Sequence, residues 1–526
     1  MIDIGVSELD RLCAGAGEWA LFDVREAGEA DQGHIFGATF LPRRQIELRM
    51  GDLVPARATT LVVYDEGGPR ADYAAATLER YGYEDVRVLK GGTQAWAKAG
   101  RELMQGSNVP SKLFGEEIYE QEHVPQLPVA TLQAWRDEGR PHLVCDIRTP
   151  DEYQAARIPG AHGAFGVDLA RLAGDLRERR VPIVVHCAGR TRSIIACQSL
   201  RALGLKEVFA LENGTMGWQL AGYVLEKDGA TGELRPSPAS LADGERRTRA
   251  LAADAGVTAI EPDELEAALA ARAAGRENLY VFDVRQLAEY LAAHVDGAIA
   301  VPGGLAIQRT DEFAPVRAAR MVLVDDGEAR AWLTGYWLRR AGRGRVQVLA
   351  GGLQGWRASG RRVASGRGRN RPLGEEAAAA ALRVAAAELA KEPATLTIDV
   401  DTSRYFAKAR LPGARWVPYG WLESRIVELA PTRESPVVLT CHDGRLSGYA
   451  AANLAVLGYR SVRVLDGGVQ AWTKLGLAVE TGWPAGLPPA GDLVVPPYDS
   501  SLDSMARYLA WEQQLTARRR TGVSHC

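Results

Sequence analysis

Cys187 heads the run Cys187-Ala188-Gly189-Arg190-Thr191-Arg192-Ser193, between the β-type stretch Ile183-Val184-Val185-His186 and a helical stretch from Ile194 to Leu203. A thiol where a strand passes through a short loop into a helix lies among inward-pointing backbone N–H groups, at the positive end of that helix. Both favour thiolate over thiol, and Arg190 and Arg192 nearby lower the free cysteine pKa of about 8.5 further. The expected result is a nucleophile in an anion cradle made by Ala188, Gly189, Arg190, Thr191 and Arg192. Two kinds of anion suit such a cradle: phosphate esters, and sulfur donors such as thiosulfate whose outer sulfur can be transferred. Cys-based phosphatases place five residues between Cys and Arg, because a tetrahedral phosphoryl group needs the wider ring. Here four residues, Ala188 to Thr191, separate Cys187 from Arg192. The tighter ring suits a single sulfur atom on the cysteine.

A second loop, Cys441-His442-Asp443-Gly444-Arg445-Leu446-Ser447, keeps the nucleophile and the glycine. Its Arg445 sits four residues after the cysteine, Leu446 stands in the place of Arg192, and Asp443 adds negative charge beside the cradle. Cys187 is therefore expected to react with an anionic donor, and Cys441 to be a weaker or differently specific site. For each, a buried core thiol is the competing reading. Cys145 in a strand and Cys197 inside a helix read as core residues. Cys13 has no informative context, and Cys526 reads as an incidental terminal thiol.

These loops belong to a fourfold repeat. Phe22-Asp23-Val24-Arg25 returns as Cys145-Asp146-Ile147-Arg148, as Phe282-Asp283-Val284-Arg285 and, more weakly, as Ile398-Asp399-Val400-Asp401. Each copy has a central β-type run ending at Asp65, Cys187, Asp325 or Cys441, and a tryptophan, Trp96, Trp218, Trp356 or Trp472, follows that end by 31 residues every time. A glycine precedes each tryptophan, and a basic residue, His34, Arg157, His294 or Arg410, lies 11 residues after the first Asp. Each copy reads as strand, helix, strand, helix, strand, with short, near-continuous apolar strands. That pattern predicts an α/β fold, a parallel sheet with helices on both faces, whose ligands bind beyond the carboxyl ends of the strands. Copies one and three share Asp-headed loops and copies two and four share Cys-headed loops, so a two-domain unit duplicated in tandem is expected. The expected domains are 1–105, 120–228, 257–363 and 373–481, with a tail, 482–526, containing a helix. The stretches 105–128, 227–254 and 361–372 read as linkers, 375–391 as an Ala-rich helix, and 504–520 as a helix with a basic, solvated end.

The 526 residues suit several domains rather than one core. With 63 Lys+Arg against 66 Asp+Glu the formal net charge is −3, so no overall field attracts nucleic acid or an anionic membrane. Six scattered cysteines without a C-x-x-C pair suggest neither a disulfide framework nor zinc, and reduced thiols are the default. No secretory signal or apolar run of spanning length is visible, and a cytoplasmic location is expected.

The Asp-x-Arg strand end, the Gly-Ala turn after a basic residue, the Cys-x-x-x-x-Arg loop and the Gly…Trp close together resemble the rhodanese family of sulfurtransferases. The resemblance extends over about nine-tenths of the chain and implies four rhodanese-like domains. It implies a ping-pong reaction in which a cysteine thiolate takes sulfane sulfur from thiosulfate, and the persulfide passes it to cyanide, a thiol or a protein acceptor. No cofactor is implied, because the covalent persulfide carries the group. The copies headed by Asp65 and Asp325 resemble the family's inactive modules, with Arg70 and Arg330 as structural ion pairs across the loop. Cys187 is the implied nucleophile, and Cys441 is the second candidate, with Arg445 as its substrate-binding residue. A persulfide relay or sensor working with a partner, and use of 3-mercaptopyruvate or a low-molecular-weight persulfide, are the alternatives.

Overall fold

The computed structural model describes residues 1–227, 232–368, 371–497 and 501–520. In the first copy five strands, Ile2–Ile4, Trp19–Asp23, Thr39–Phe40, Thr60–Tyr64 and Asp85–Leu89, form one parallel sheet in the order first, fifth, fourth, second, third. The other three copies repeat that order in parallel five-stranded sheets, and the third adds a separate antiparallel pair, His294–Val295 with Val363–Ala364. The α/β expectation holds, with two more strands per copy than the apolar runs foretell. Those two are only two or three residues long in every copy. They are too short to show a pattern of their own, and the ladder of a neighbouring strand defines them.

The central strands are buried except at Thr60 and Arg320, the half-buried first residues of two of them, as β-branched runs between two helical layers should be. At the end of the second strand in three copies, Arg25, Arg148 and Arg285 fork onto Asp23, Asp146 and Asp283 at 2.6–2.7 Å. The basic landmark closes each copy on itself. Arg157 and Arg410 are buried, pair through the backbone with Glu226 and Glu480, and ion-pair with the same residues. They therefore tie down the end of the domain instead of meeting a substrate.

The copies associate in pairs, but not first with second and third with fourth. The first and fourth form one compact unit, and the second and third form the other, together with the C-terminal helices. A two-domain unit duplicated in tandem suggests that the first copy packs on the second and the third on the fourth, and the structure corrects that pairing. Each unit still joins one Asp-headed and one Cys-headed copy. In the first unit, Arg43 is entirely buried and is held by Glu47 of its own copy and Glu423 of the fourth. Tyr419 and Asn453 add hydrogen bonds to Glu47 at 2.8 and 2.7 Å. In the second unit, Arg330 reaches Asp168 at 3.0 Å and Trp337 donates to Ser199 at 2.8 Å. There the copies touch at glycine: a Cβ on Gly303 would sit 2.5 Å from Val167 Cγ2 of the second copy.

Segments read as linkers are partly helical. Val109–Gln121 lies in the first, and Pro238–Asp254, capped by Ser237, lies in the second. The stretch 375–391 is not one helix. It breaks into Glu375–Ala379, the strand Arg383–Val384 and Ala386–Leu389, because pairing of Arg383–Val384 with Val464–Leu465 outweighs alanine's helix propensity. The tail forms Leu502–Gln513 and Leu515–Arg520, and Arg519 ion-pairs with Glu117 instead of ending in solvent. Cys145, Cys187, Cys197 and Cys441 are free and buried, whereas Cys13 is disulfide-bonded, against the reduced default. Cys526 lies outside the described residues. Among the described residues no helix is long and apolar enough to cross a membrane.

Candidate active site

The constant spacing from loop head to tryptophan has a geometric cause. The residue after the landmark glycine donates its N–H to the carbonyl of the loop-head residue in all four copies: Thr93 to Asp65, Thr215 to Cys187, Leu353 to Asp325 and Val469 to Cys441, at 2.8–2.9 Å. A Cβ on Gly92, Gly214, Gly352 or Gly468 would stand 2.1–2.2 Å from that carbonyl oxygen, so only glycine allows the contact. Four residues further on, each tryptophan's indole N–H holds the chain six residues later, at Glu102, Val224, Arg362 and Ala478. Every loop is thereby pinned at the carboxyl end of its central strand.

The two aspartate copies show what such a loop binds. Asp65 Oδ1 accepts the N–H groups of Gly67 and Gly68 at 2.7 and 3.0 Å, and its Oδ2 that of Ala71 at 3.1 Å. Asp325 accepts from the N–H groups of Asp326 and Arg330 at 2.7 and 2.8 Å. In these copies a carboxylate of the chain occupies the ring of backbone donors. Arg330 also pairs with Asp325, as expected, at 2.8 Å. Arg70 does not reach Asp65 as an ion pair; it binds Glu29 and Glu66.

Cys187 occupies the same register with a sulfur atom in place of a carboxylate. Its Sγ lies 3.5 Å from Ser193 Oγ, which is itself held by the Arg190 carbonyl at 2.8 Å. The helix Thr191–Ala202 starts directly at the loop, so its first N–H groups have no intrahelical acceptor and face the loop. Ala188, Gly189, Arg190 and Thr191 are all buried around the thiol. His186, buried before it, lies 3.7 Å from Asp146, and burial pushes its pKa down, so it stands as a neutral wall of the strand end.

Both loop arginines are already paired, which alters the sequence reading. Arg190 forks onto Glu116 with two bonds of 2.7 Å, and Arg192 onto Glu152 with two of 2.8 Å. Burial opposes ionisation of Glu152, but the Arg192 pair prevails and takes its pKa down to about 2. The same Glu–Arg clasp occurs as Glu29–Arg70 and Glu289–Arg330 in the aspartate copies, so Arg192 braces the loop in the way its inactive counterparts do. The carboxylates are visible in sequence once this is known: Glu29, Glu152 and Glu289 each lie six residues after the first Asp. Glu152 also completes a Thr149-x-x-Glu capping box, a local signal of its position. Glu116 gives no such signal, since it comes from the segment read as a linker. Tyr508 and Glu512, from the C-terminal helix, also reach this loop, and nothing in their local sequence points there.

The fourth copy has lost the clasp at both ends. Tyr405 and Leu446 replace the glutamate and the arginine, and Asp401 replaces the strand-end arginine. Cys441 Sγ is closed in by Ser447 N–H and hydroxyl, both at 3.4 Å, and Asp443 at 3.7 Å. Burial, with Asp401 and Asp443 adding to it, pushes the thiol up to about 11. Arg445 is exposed; its backbone N–H binds Asp443 and its side chain hydrogen-bonds with Tyr449. The structure therefore groups Cys187 with Ala188, Gly189, Arg190, Thr191 and Arg192, whereas the partners of Cys441 Sγ are Asp443 and Ser447 and the Arg445 side chain binds Tyr449.

Loss of the strand-end arginine leaves Asp399 buried without the ion pair of the other copies, and burial lifts it to about 7 against the opposing charge of Arg410. A carboxyl whose folded pKa lies above its unfolded value of about 3.9 stabilises the fold only while protonated. Its contribution is intact at pH 4 and is lost as the pH rises to 7. Asp399→Asn is expected to raise the melting temperature at pH 8 by several degrees and to leave it unchanged at pH 4, as read by thermal unfolding at both pH values.

Comparison with known proteins agrees with this geometry. The model of the rhodanese-like domain matches residues 6–99, 129–221, 261–359 and 383–475. A crystal structure of thiosulfate sulfurtransferase from Pseudomonas aeruginosa superposes with a TM-score of 0.89 at 34% identity, covering 100% of this chain and 99% of that one. A sulfurtransferase of Allochromatium vinosum is 35% identical over 98 residues, 19% of this chain and 90% of its own. The thiosulfate sulfurtransferase GlpE of Pseudoalteromonas translucida is 29% identical over 79 residues, 15% of this chain and 74% of its own. The chain thus belongs to the rhodanese family, as four rhodanese-like domains in one polypeptide.

Proposed function

We propose that the protein is a sulfurtransferase that moves sulfane sulfur from thiosulfate, or a closely related donor, to a thiophilic acceptor through a persulfide on Cys187. The observation that carries this is the shared loop register. Where Asp65 and Asp325 place a carboxylate among loop N–H donors, Cys187 places a thiol, leaving those donors for an external anion. The Cys187 thiolate attacks the outer sulfur of thiosulfate. A new S–S bond forms to Cys187, the S–S bond of thiosulfate breaks, and its electron pair leaves with sulfite. Cyanide or a thiolate then attacks the outer sulfur of the persulfide, and the Cys187 thiolate returns as leaving group. The loop N–H groups stabilise the negative charge on the sulfur at both steps. Glu116 and Glu152 hold Arg190 and Arg192, which keep the ring closed, and the Asp65 and Asp325 copies serve as non-catalytic partners. Charge balance between these arginines and glutamates leaves the backbone as the main anion-binding element.

Incubation with thiosulfate followed by intact-mass measurement tests the reading. One added sulfur, located on Cys187 by peptide mapping and removed by cyanide with turnover, is the expected outcome. Loading that cyanide cannot discharge supports a relay acting with a partner, and hydrolysis of a phosphate ester without loading overturns the sulfurtransferase.

A further inference from the structure

The helix Leu502–Gln513 lies across the Cys187 loop. Met505 and Leu509 pack with Met216, which donates its N–H to the Ala188 carbonyl at 2.9 Å. Gly189 leaves room for this covering: a Cβ there would stand 2.8 Å from Met216 Cε and 3.8 Å from Leu509 Cδ2. Glu512, only 2% exposed, accepts the Thr191 hydroxyl at 2.6 Å. Tyr508 turns its phenol toward the same place. Its phenol hydrogen-bonds with Glu512, and burial and then the charges of Glu512 and Cys187 hold its pKa well above the ordinary value, so it stays a neutral O–H. The helix is anchored on Val109–Gln121, the element that also supplies Glu116. The Lys112 ammonium stands 5.0 Å from the Tyr508 ring and 5.1 Å from that of Trp511, Thr516 donates to Glu120 at 2.6 Å, and Arg519 pairs with Glu117. Under this cover Cys187 is 2% exposed.

Geometry limits what can reach such a sulfur. Two cysteines joined as a disulfide hold their Cα atoms within about 7 Å, and transfer of a persulfide's outer sulfur lengthens that reach by only about one S–S bond, roughly 2 Å. A folded protein offering its cysteine would have to place its backbone where Tyr508, Leu509 and Glu512 stand. A small ion or low-molecular-weight thiol brings no backbone.

We propose that the helix Leu502–Gln513 is the selectivity wall of the Cys187 site, restricting sulfur exchange to small diffusible donors and acceptors and barring the cysteines of folded proteins. This rests on Cys187 as the sulfur-carrying residue. Local opening that exposes a covered site in about 1% of molecules slows a bulky reactant about a hundredfold and leaves a small one that threads past the wall unaffected.

The test uses the full-length chain and its Leu509→Asp and Met505→Asp variants, which put a charge into the seam between helix and loop. Persulfide-loaded protein is mixed with cyanide or with reduced thioredoxin, and loss of sulfur is followed by mass. Unloaded protein is treated with iodoacetamide or with a polyethylene-glycol maleimide, and labelling at Cys187 is followed. For the wild type, the rates with thioredoxin and with the large maleimide, relative to cyanide and iodoacetamide, are expected to be about a hundredfold lower than the same ratios for a free cysteine peptide. Either variant is expected to raise both ratios at least about tenfold. Wild-type ratios equal to those of the free peptide overturn the wall. So do unchanged ratios in variants whose 502–513 segment has become protease-sensitive. If no sulfur loads at all, the proposed function fails, and the labelling ratio still decides the wall.

Discussion

Cys187→Ser lowers thiosulfate-to-cyanide turnover by at least about a thousandfold, and Cys441→Ser leaves most of it. A serine hydroxyl in the Cys187 loop keeps the donors and the fold but has no ionisable sulfur to form a persulfide, so the loss falls on turnover. The sparing of Cys441→Ser follows from its surroundings. Its thiol is pushed up to about 11, and Asp443 stands 3.7 Å from it. Near pH 7.5 a thiol of that pKa is ionised in only about one molecule in a few thousand. Steady-state assays on both variants, with sulfur content read by mass, check the assignment. Intact activity in Cys187→Ser with complete loss in Cys441→Ser reverses it.

Arg43→Met destabilises the unit of the first and fourth copies by on the order of 3–5 kcal/mol. Arg43 is entirely buried with Glu47 and Glu423, so removing the cation strands two buried carboxylates that cannot reach water. Their neutralisation costs most near neutral pH and less in acid, so the loss in melting temperature should shrink as the pH falls toward 4. Replacing the whole triad, as Arg43→Met with Glu47→Gln and Glu423→Gln, recovers much of the loss, since no unpaired charge remains. Calorimetry of the single and triple variants at pH 7.5 and pH 5 is the measurement. A single variant as stable as the wild type shows that the charges rehydrate and that the network adds little.

Much of the site was legible because its geometry repeats at fixed offsets in one chain. The 31-residue interval is set by the contact of a glycine with the loop-head carbonyl, a local constraint that spacing records directly. The buried strand-end pairs Asp23–Arg25, Asp146–Arg148 and Asp283–Arg285 lie two residues apart and are similarly readable. The clasp Glu152–Arg192 lies 40 residues apart and passed unnoticed, although the joint loss of both partners in the fourth copy, to Tyr405 and Leu446, marks it in hindsight. Arg190 and Arg192 read as free positive charge for a donor, because pattern alone does not show which charges are cancelled by carboxylates from other elements.

The α/β architecture, the four loops and the identity of the two candidate thiols are properties of local pattern, so the linear chain specifies them. Which copies share a core is not. The faces that join the first copy to the fourth carry Arg43, Glu47 and Glu423, three charges that are buried because they are matched across the pair. The C-terminal helix over Cys187 is likewise a tertiary fact. Met505, Leu509 and Glu512 form an ordinary amphipathic pattern, and only folding back over more than 300 residues of chain brings that face onto the loop and decides what the thiol can meet.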